Sequence, residues 1–253
     1  MNPTARRLYI LDYLKEKETV EIGVLAEELG VSTMTIRRDL NQFAKQGLVS
    51  LTHGGAVLNY GATIEANYAI KQGHMVEEKK RIGQAAAKLV AEGSAVFIDC
   101  GTTPQEVAVQ LIHSSNITVL TNSLLAANTF AQSPKVKLIM VPGLFRAKSM
   151  GFLGPAAIEF ISRMRFDYVF LGTEGVDCET GITVPDIDDG EMKRALVSRA
   201  NKVVVVADHT KIGQKFMMSV CPASQVSTLV TGKEASKDII RSMEQAGVSV
   251  VTV

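Results

Sequence analysis

Residues 95–106 read Ala95-Val96-Phe97-Ile98-Asp99-Cys100-Gly101-Thr102-Thr103-Pro104-Gln105-Glu106, an apolar run, a polar turn holding one glycine, and a helix start. The run is short and rich in β-branched and aromatic side chains, which predicts a buried strand. Thr103 fits an N-cap, Pro104 the first helical position, and Glu106 completes a capping box.

The same alternation recurs on either side. Apolar runs stand at 117–120, 136–141, 168–171, 203–207, 226–230 and 248–251, and helix-like segments at 79–91, 105–112, 124–131 and 237–246 lie between several of them. Strands alternating with helices predict an α/β unit with a mostly parallel sheet covered on both faces. Ligands of such sheets bind beyond the carboxyl ends of the strands.

Those ends carry the chemistry. They hold Asp99, Gly101, Thr102 and Thr103; then Asn122 and Ser123; then Gly143 and Arg146; then Gly172, Glu174 and Asp177; and finally Asp208, His209, Thr210 and Lys211. Backbone amides at a glycine-bearing turn and helix start favour an anion, and threonine hydroxyls add donors, so phosphate is the natural ligand. A plain strand–turn–helix connection also uses Gly, Thr and Pro and would account for one such loop. Five polar ends converging on one rim favour a site.

The chain upstream has helical periodicity instead. A first helix is expected from a cap at Thr4 to Lys15, a second over 22–29, and a third capped by Ser32 and ending near Gly47. Ile36, Leu40 and Phe43 fall at i, i+4 and i+7 and form the third helix's buried stripe. Ser32, Thr33, Thr35, Arg37, Arg38 and Asn41 then point away from or flank that stripe, offering the hydroxyl, guanidinium and amide groups that bond phosphates and base edges. Residues 48–58 read as a hairpin turning at His53-Gly54-Gly55, the wing of a winged helix-turn-helix. The plainer alternative is a small helical bundle with a solvated polar face. The expected organisation is a DNA-binding domain over 1–58, a linker over 59–74 and a ligand-binding domain over 75–253.

Bulk properties neither drive nor oppose this reading. The 253 residues are 46% hydrophobic and 21% charged with a formal net charge of +1, so a DNA interface must come from local placement. The longest aliphatic stretch, 203–207, is far short of the roughly 20 residues of a membrane helix, and no secretory segment opens the chain. Cys100, Cys178 and Cys221 lack paired-thiol or zinc spacing, which fits a reduced, cytoplasmic protein without a membrane partner. Neither a Walker loop nor a GxGxxG run is present, so no cofactor is expected; His53, His74, His113 and His209 lack metal-ligand spacing, and no GxSxG elbow points to a catalytic nucleophile.

Residues 25–56, with Val31-Ser32-Thr33-Met34-Thr35-Ile36-Arg37-Arg38-Asp39-Leu40 and His53-Gly54-Gly55-Ala56, resemble the DeoR family of bacterial transcriptional repressors. The resemblance continues through Asp99-Cys100-Gly101-Thr102-Thr103, Thr121-Asn122-Ser123, Gly172-Thr173-Glu174-Gly175-Val176-Asp177 and Asp208-His209-Thr210-Lys211-Ile212-Gly213. Over 97–213 it is most similar to the glycerol-3-phosphate regulon repressor branch. The resemblance implies an α+β winged helix-turn-helix domain followed by a Rossmann-like sensor related to ribose-5-phosphate isomerase. It also implies a phosphorylated sugar or glycerol-phosphate-like effector that lowers affinity for double-stranded operator DNA. By the same resemblance Thr35, Arg37 and Arg38 contact DNA, and His53 with Gly54 forms the wing. Asp99, Gly101, Thr102, Thr103, Asn122 and Ser123 line the effector pocket, and Glu174, Asp177, Lys193 and Lys211 complete it. Three positions depart from the family pattern: Leu51 stands where the wing usually has arginine, Pro142-Gly143 replaces a glycine pair, and Asp189 replaces a glutamate four residues before Lys193. A palindromic operator would call for a homodimer or homotetramer. The alternative function is a sugar-phosphate isomerase-like enzyme with an accessory N-terminal domain, using Asp99, Glu174, Asp177 and Lys193 for acid–base work.

Overall fold

The computed structural model describes residues 2–45, 48–58, 65–66 and 68–253. Gly47, the expected end of the third helix, and residues 59–64 and 67 of the expected linker lie outside the described residues. The chain divides into two compact units, Met1–His74 and Met75–Val253.

The first unit runs α1 (Pro3–Lys17), β1 (Thr19–Glu21), α2 (Ile22–Glu28), α3 (Thr33–Lys45), β2 (Val49–Leu51), β3 (Gly55–Leu58) and α4 (Tyr68–Gly73). The cap of α1 is Asn2 rather than Thr4: its Oδ1 accepts from the amides of Thr4 and Ala5 at 2.8 and 3.1 Å, leaving Pro3 at the first helical position where its missing N–H costs nothing. The stripe expected on α3 is in place, since Ile36, Leu40 and Phe43 are fully buried with Ile10, Leu14 and Leu25.

The wing is a three-stranded antiparallel sheet in the order β1-β3-β2, so β1 joins the expected hairpin from outside it. A Cβ at Gly55 would lie 1.8 Å from the Val20 carbonyl oxygen, so glycine alone permits β3 to approach β1 this closely. The carboxylate of Asp39, 1% exposed, receives Nε of Arg6 at 2.6 Å and Nε of Arg7 at 2.7 Å and so fastens α1 to α3. Part of the expected linker is ordered helix: α4 packs on α1, with a Gly73 Cβ only 3.0 Å from Leu8, and His74 Nε2 meets Asp12 at 2.7 Å.

The second unit continues with α5 (Val76–Ala87), β4 (Ala95–Ile98), α6 (Thr102–Leu111), β5 (Ile117–Thr121), α7 (Leu124–Phe130), β6 (Val136–Met140), β7 (Leu144–Arg146), β8 (Gly151–Leu153), α8 (Pro155–Ser162), β9 (Phe166–Leu171), β10 (Gly175–Asp177), β11 (Gly181–Val184), α9 (Ile187–Val197), β12 (Ala200–Val206), β13 (Met218–Cys221), β14 (Thr228–Thr231), α10 (Lys237–Gln245) and β15 (Ser249–Thr252). The main sheet has the order β15-β14-β12-β9-β4-β5-β6, and every pair in it is parallel. Side chains alternate between its two covered faces. Phe97, Val203 and Val205 join one apolar cluster, whereas Val96, Ile98, Val204 and Val206 join the other.

Because Asp39 is buried against two guanidinium groups, Asp39→Ala is expected to destabilise the first unit by about 3–5 kcal/mol. Hydrogen exchange would show the loss within residues 2–58, with protection of the second unit's strands unchanged.

Candidate functional site

Two groups of residues singled out by the sequence are brought together, one in each unit. Ser32, just before α3, and Thr33, Arg37, Arg38 and Asn41 on it are exposed and Thr35 is half-buried, opposite the buried stripe. Ser32 Oγ accepts from the Thr35 amide at 3.2 Å and lies 2.9 Å from Thr35 Oγ1, so the two hydroxyls are held at the start of the helix. His53 and Gly54 are exposed at the wing turn, where the Gly54 carbonyl accepts from the Ile22 amide at 2.9 Å. Met34, 57% exposed on the same helix, went unmarked in the sequence because an isolated methionine reads as core filler. A methionine there offers apolar contact of the kind a thymine methyl accepts.

The second group sits at the carboxyl ends of the parallel strands. From β4 the chain builds β5 and β6 to one side, and from β9 it builds β12, β14 and β15 to the other, so β4 and β9 flank the point where strand order reverses. Asp99 lies there with no exposure. Its Oδ1 accepts from the Cys100 amide at 2.8 Å, and its Oδ2 accepts from the Gly172 amide at 3.1 Å and from Lys193 Nζ at 2.5 Å. Lys193, on α9, is also 3.1 Å from Asp189. Burial works against the lysine's charge, but the carboxylates of Asp189 and Asp99 outweigh it and hold the ammonium well above the usual lysine range. Burial, and then the Asp99 charge, push the Cys100 thiol up, which disfavours the thiolate.

The turn after β4 differs from its expected form. Helix α6 begins at Thr102, with Gly101 at the cap position and no side-chain cap bond, so Thr103 is not the cap and the capping box is absent. The reason is the backbone of Gly101, φ 134° and ψ 164°, which ends the loop earlier than a threonine cap would. Glu106 is instead turned toward Lys80 and Lys79, and its carboxyl is raised by burial. Helix α6 thus presents its first amides, beside the buried Thr102 and Thr103, without an internal acceptor from a capping side chain.

The neighbouring ends complete the rim. Ser123 caps α7 by accepting from the Ala126 amide at 3.2 Å. Gly143 adopts φ 157°, and a Cβ there would meet the Leu153 carbonyl at 2.6 Å, so the chain enters the open end of the β7–β8 hairpin on a glycine. Arg146 pairs with Asp186 at 3.0 Å, and Lys211 pairs with Glu174 at 2.7 Å. Asp177 is placed elsewhere: it accepts from the amides of Glu179 and Thr180 and pairs with Lys215 at 3.2 Å, closing the β10–β11 turn. The structure adds Ser149, buried in the β7–β8 turn, for which no sequence periodicity gives a signal.

Among the described residues, Glu78, His209 and Glu234 bring metal-capable atoms within 4.8 Å of one another. Each is already engaged. Glu78 accepts from the His209 amide at 2.7 Å and meets its Nδ1 at 2.8 Å, while Glu234 pairs with Arg81 at 3.0 Å. A shallow cavity of about 470 Å³, lined by Arg194, Asn201, Cys221 and Gln225, lies at the amino end of β12, away from the rim.

Comparison with known proteins matches both units. The model of the DeoR-like helix-turn-helix domain covers residues 6–61, and that of the DeoR C terminal sensor domain covers residues 74–233. The glycerol-3-phosphate regulon repressor of Escherichia coli K12 is 35% identical over 231 residues, 91% of each chain. The HTH-type transcriptional regulator GlpR of Haloferax volcanii is 35% identical over 252 residues, 99% of this chain and 98% of that one. Among solved structures, the sorbitol operon regulator SorC of Klebsiella pneumoniae aligns over 94% of this chain and 98% of its own, with a TM-score of 0.42 at 13% identity. Ribose 5-phosphate isomerase A of Methanocaldococcus jannaschii aligns over 53% of each chain, with a TM-score of 0.40 at 17% identity. With a winged helix-turn-helix unit and a parallel-sheet sensor unit each matching its DeoR counterpart in order, the chain belongs to the DeoR family of transcriptional regulators.

Proposed function

We propose that this protein is a transcriptional repressor of a carbohydrate catabolic operon, released from double-stranded operator DNA by a phosphorylated sugar or glycerol-phosphate-like effector. The observation that carries the reading is the exposed face of α3, where Thr33, Arg37, Arg38 and Asn41 stand opposite a fully buried stripe. The guanidinium groups supply phosphate-directed, salt-dependent affinity, and the hydroxyls and Asn41 supply contacts to base edges. Ser32, Thr35, His53 and Gly54 complete that interface. In this reading residues 1–58 bind DNA, 59–74 link, and 75–253 sense the effector.

The effector site is the strand rim. The uncapped start of α6, with Gly101, Thr102 and Thr103, takes the phosphate, and Asn122, Ser123, Gly143, Arg146, Gly172, Glu174 and Lys211 surround it. Asp99 and Lys193 hold the rim from beneath. Two relatives, from Escherichia coli and Haemophilus influenzae, are named glycerol-3-phosphate regulon repressors, which supports a small phosphorylated polyol or sugar as the class. The effector must bind the DNA-incompetent arrangement more tightly, because a ligand with equal affinity for both shifts nothing. The enzyme alternative loses support from Asp177, which serves a turn, and from Asp99 and Lys193, which neutralise each other. The reading includes a homodimer or homotetramer, a cytoplasmic location and no cofactor. No described helix is long and apolar enough to cross a membrane.

Gel shifts on the protein's own upstream DNA test this directly. Arg38→Ala is expected to weaken operator binding at least about tenfold and to reduce the salt slope by about one. Unchanged affinity and slope would remove α3 from the interface. Thr102→Ala is expected to require a higher effector concentration for release, giving a repressor that stays on DNA where the native protein leaves it. Release at the native concentration would move the phosphate site away from α6.

A further inference from the structure

The most exposed apolar side chains of the second unit gather around one hairpin. Leu144 is 75% exposed, more than any other large apolar side chain among the described residues, and Phe145 beside it is 47% exposed. Ile187 and Met217, each more than half exposed, belong to the same region. Ile187 follows Asp186, which pairs with Arg146 of β7 at 3.0 Å, and Met217 precedes Met218, whose side chain packs against Gly190 one turn further along α9. Single exposed apolar residues are ordinary, but a group of this kind marks a surface that another molecule covers. The four side chains expose on the order of 500 Å² between them, more than half of the ~800 Å² that a standard interface takes from each partner.

The backbone of the hairpin says what shape of partner fits. β7 and β8 form a two-stranded sheet by themselves, which is marginal in water without further support. β8 has support on its outer side: the Phe152 amide donates to the Asn122 carbonyl at 2.8 Å, and the Leu124 amide donates to the Met150 carbonyl at 3.0 Å. Among the described residues no strand lies along the outer side of β7. Phe145 stands opposite Phe152, whose amide points away from β7. The two are therefore a non-hydrogen-bonded pair, and the Phe145 N–H and C=O point away from β8. Their rings lie 5.4 Å apart on one face of the hairpin. Open edges of this kind are normally blunted by charge, proline or a covering loop, whereas here leucine and phenylalanine occupy it.

We propose that β7 pairs antiparallel with β7 of a second copy of this chain, about a two-fold axis at Phe145, joining the two hairpins into one four-stranded sheet. The inference rests on the two-fold assembly included in the repressor reading and places it on the second unit. An outward donor and acceptor on the same residue are self-complementary, because a copy turned about the axis returns the same two bonds. Phe145 then faces its own copy, and the rings of Phe152 and Phe145 from both chains form a row across one face of the sheet. Ile187 and Met217 widen the apolar contact. A formal net charge of +1 sets little repulsion against the approach of a second copy. Arg146 belongs to the pairing strand, so the interface adjoins the strand rim.

Analytical ultracentrifugation of the full chain tests this, with Phe145→Asp and, as a reference, Val109→Asp on the exposed side of α6. Native protein and Val109→Asp are expected to sediment as a dimer or larger. Phe145→Asp is expected at half the native mass, with its dissociation constant raised at least about a hundredfold. Phe145→Cys gives a second readout that leaves the contact in place. Position 145 faces itself across the axis with Cα atoms about 5.5 Å apart, within reach of a disulfide. Mild oxidation is expected to join two copies of Phe145→Cys and to leave native protein and Val109→Cys unlinked. A native dimer whose mass survives Phe145→Asp, or whose Phe145→Cys variant does not cross-link, would overturn the inference while leaving the two-fold assembly standing. Native protein that sediments as a monomer would overturn the assembly and the inference together.

Discussion

The carboxylate of Asp99 is buried at the carboxyl end of β4, and the arrangement of the sensor unit follows from keeping it neutralised. An ionised carboxylate out of water is costly unless its lone pairs are filled. Here the partners come from separate elements: the Cys100 amide on its own turn, the Gly172 amide after β9, and the ammonium of Lys193 from α9. The one group thus ties the turn after β4 to the end of β9 and to α9. Asp189 adds a second carboxylate to the lysine, which spreads the charge over α9 rather than leaving a single isolated pair. A rim assembled in this way has its polar groups already oriented, which would limit the ordering cost of the binding proposed for it.

The first unit solves a smaller version of the same problem. Asp39 lies on the helix that carries Arg37 and Arg38, yet it points inward and is answered by Arg6 and Arg7 of α1. The orientation of α3, and hence the set of side chains it exposes, depends on that pairing as much as on Ile36, Leu40 and Phe43. Cations of α1 serve the fold, so that cations of α3 remain on the surface.

Much of this was legible in the sequence, for a physical reason. Strands of a parallel sheet covered on both faces read as continuous apolar runs, and each expected run lies in or overlaps a strand of the main sheet. Elements whose buried faces are polar were not legible. Helix α9 buries Asp189, Gly190 and Lys193 beside Met192 and Leu196, so its pattern shows no apolar stripe. Gly190 interrupts it further, because a Cβ there would meet Met218 at 2.2 Å. The short strands β10, β11 and β13 carry too few residues for alternation to register. Asp99 and Lys193 are 94 positions apart, so no local reading pairs them, and only the family resemblance placed Lys193 at the site. The resemblance also brought Asp177, whose side chain closes the β10–β11 turn. Thr103 failed as a cap because the sequence does not display the φ of Gly101.

The cations of the rim bear on how an anion would act there. Lys211 is paired with Glu174 on the loop of the adjacent strand β9, and Arg146 is paired with Asp186 at the start of α9. A phosphate that draws either cation toward itself weakens an existing pair, while Asp186 keeps the Asp189 amide as a donor at 2.9 Å. Stripping one partner from a buried pair costs about 3–5 kcal/mol, and less in partly exposed pairs such as these two. Under the proposed reading, part of a phosphate's interaction energy would go into moving Glu174 or Asp186 rather than appearing as affinity. That division suits a sensor better than a scavenger, because a ligand shifts a conformational equilibrium only through interactions that differ between its states. Displacing a paired carboxylate supplies such a difference, which a phosphate settling among free lysines would not.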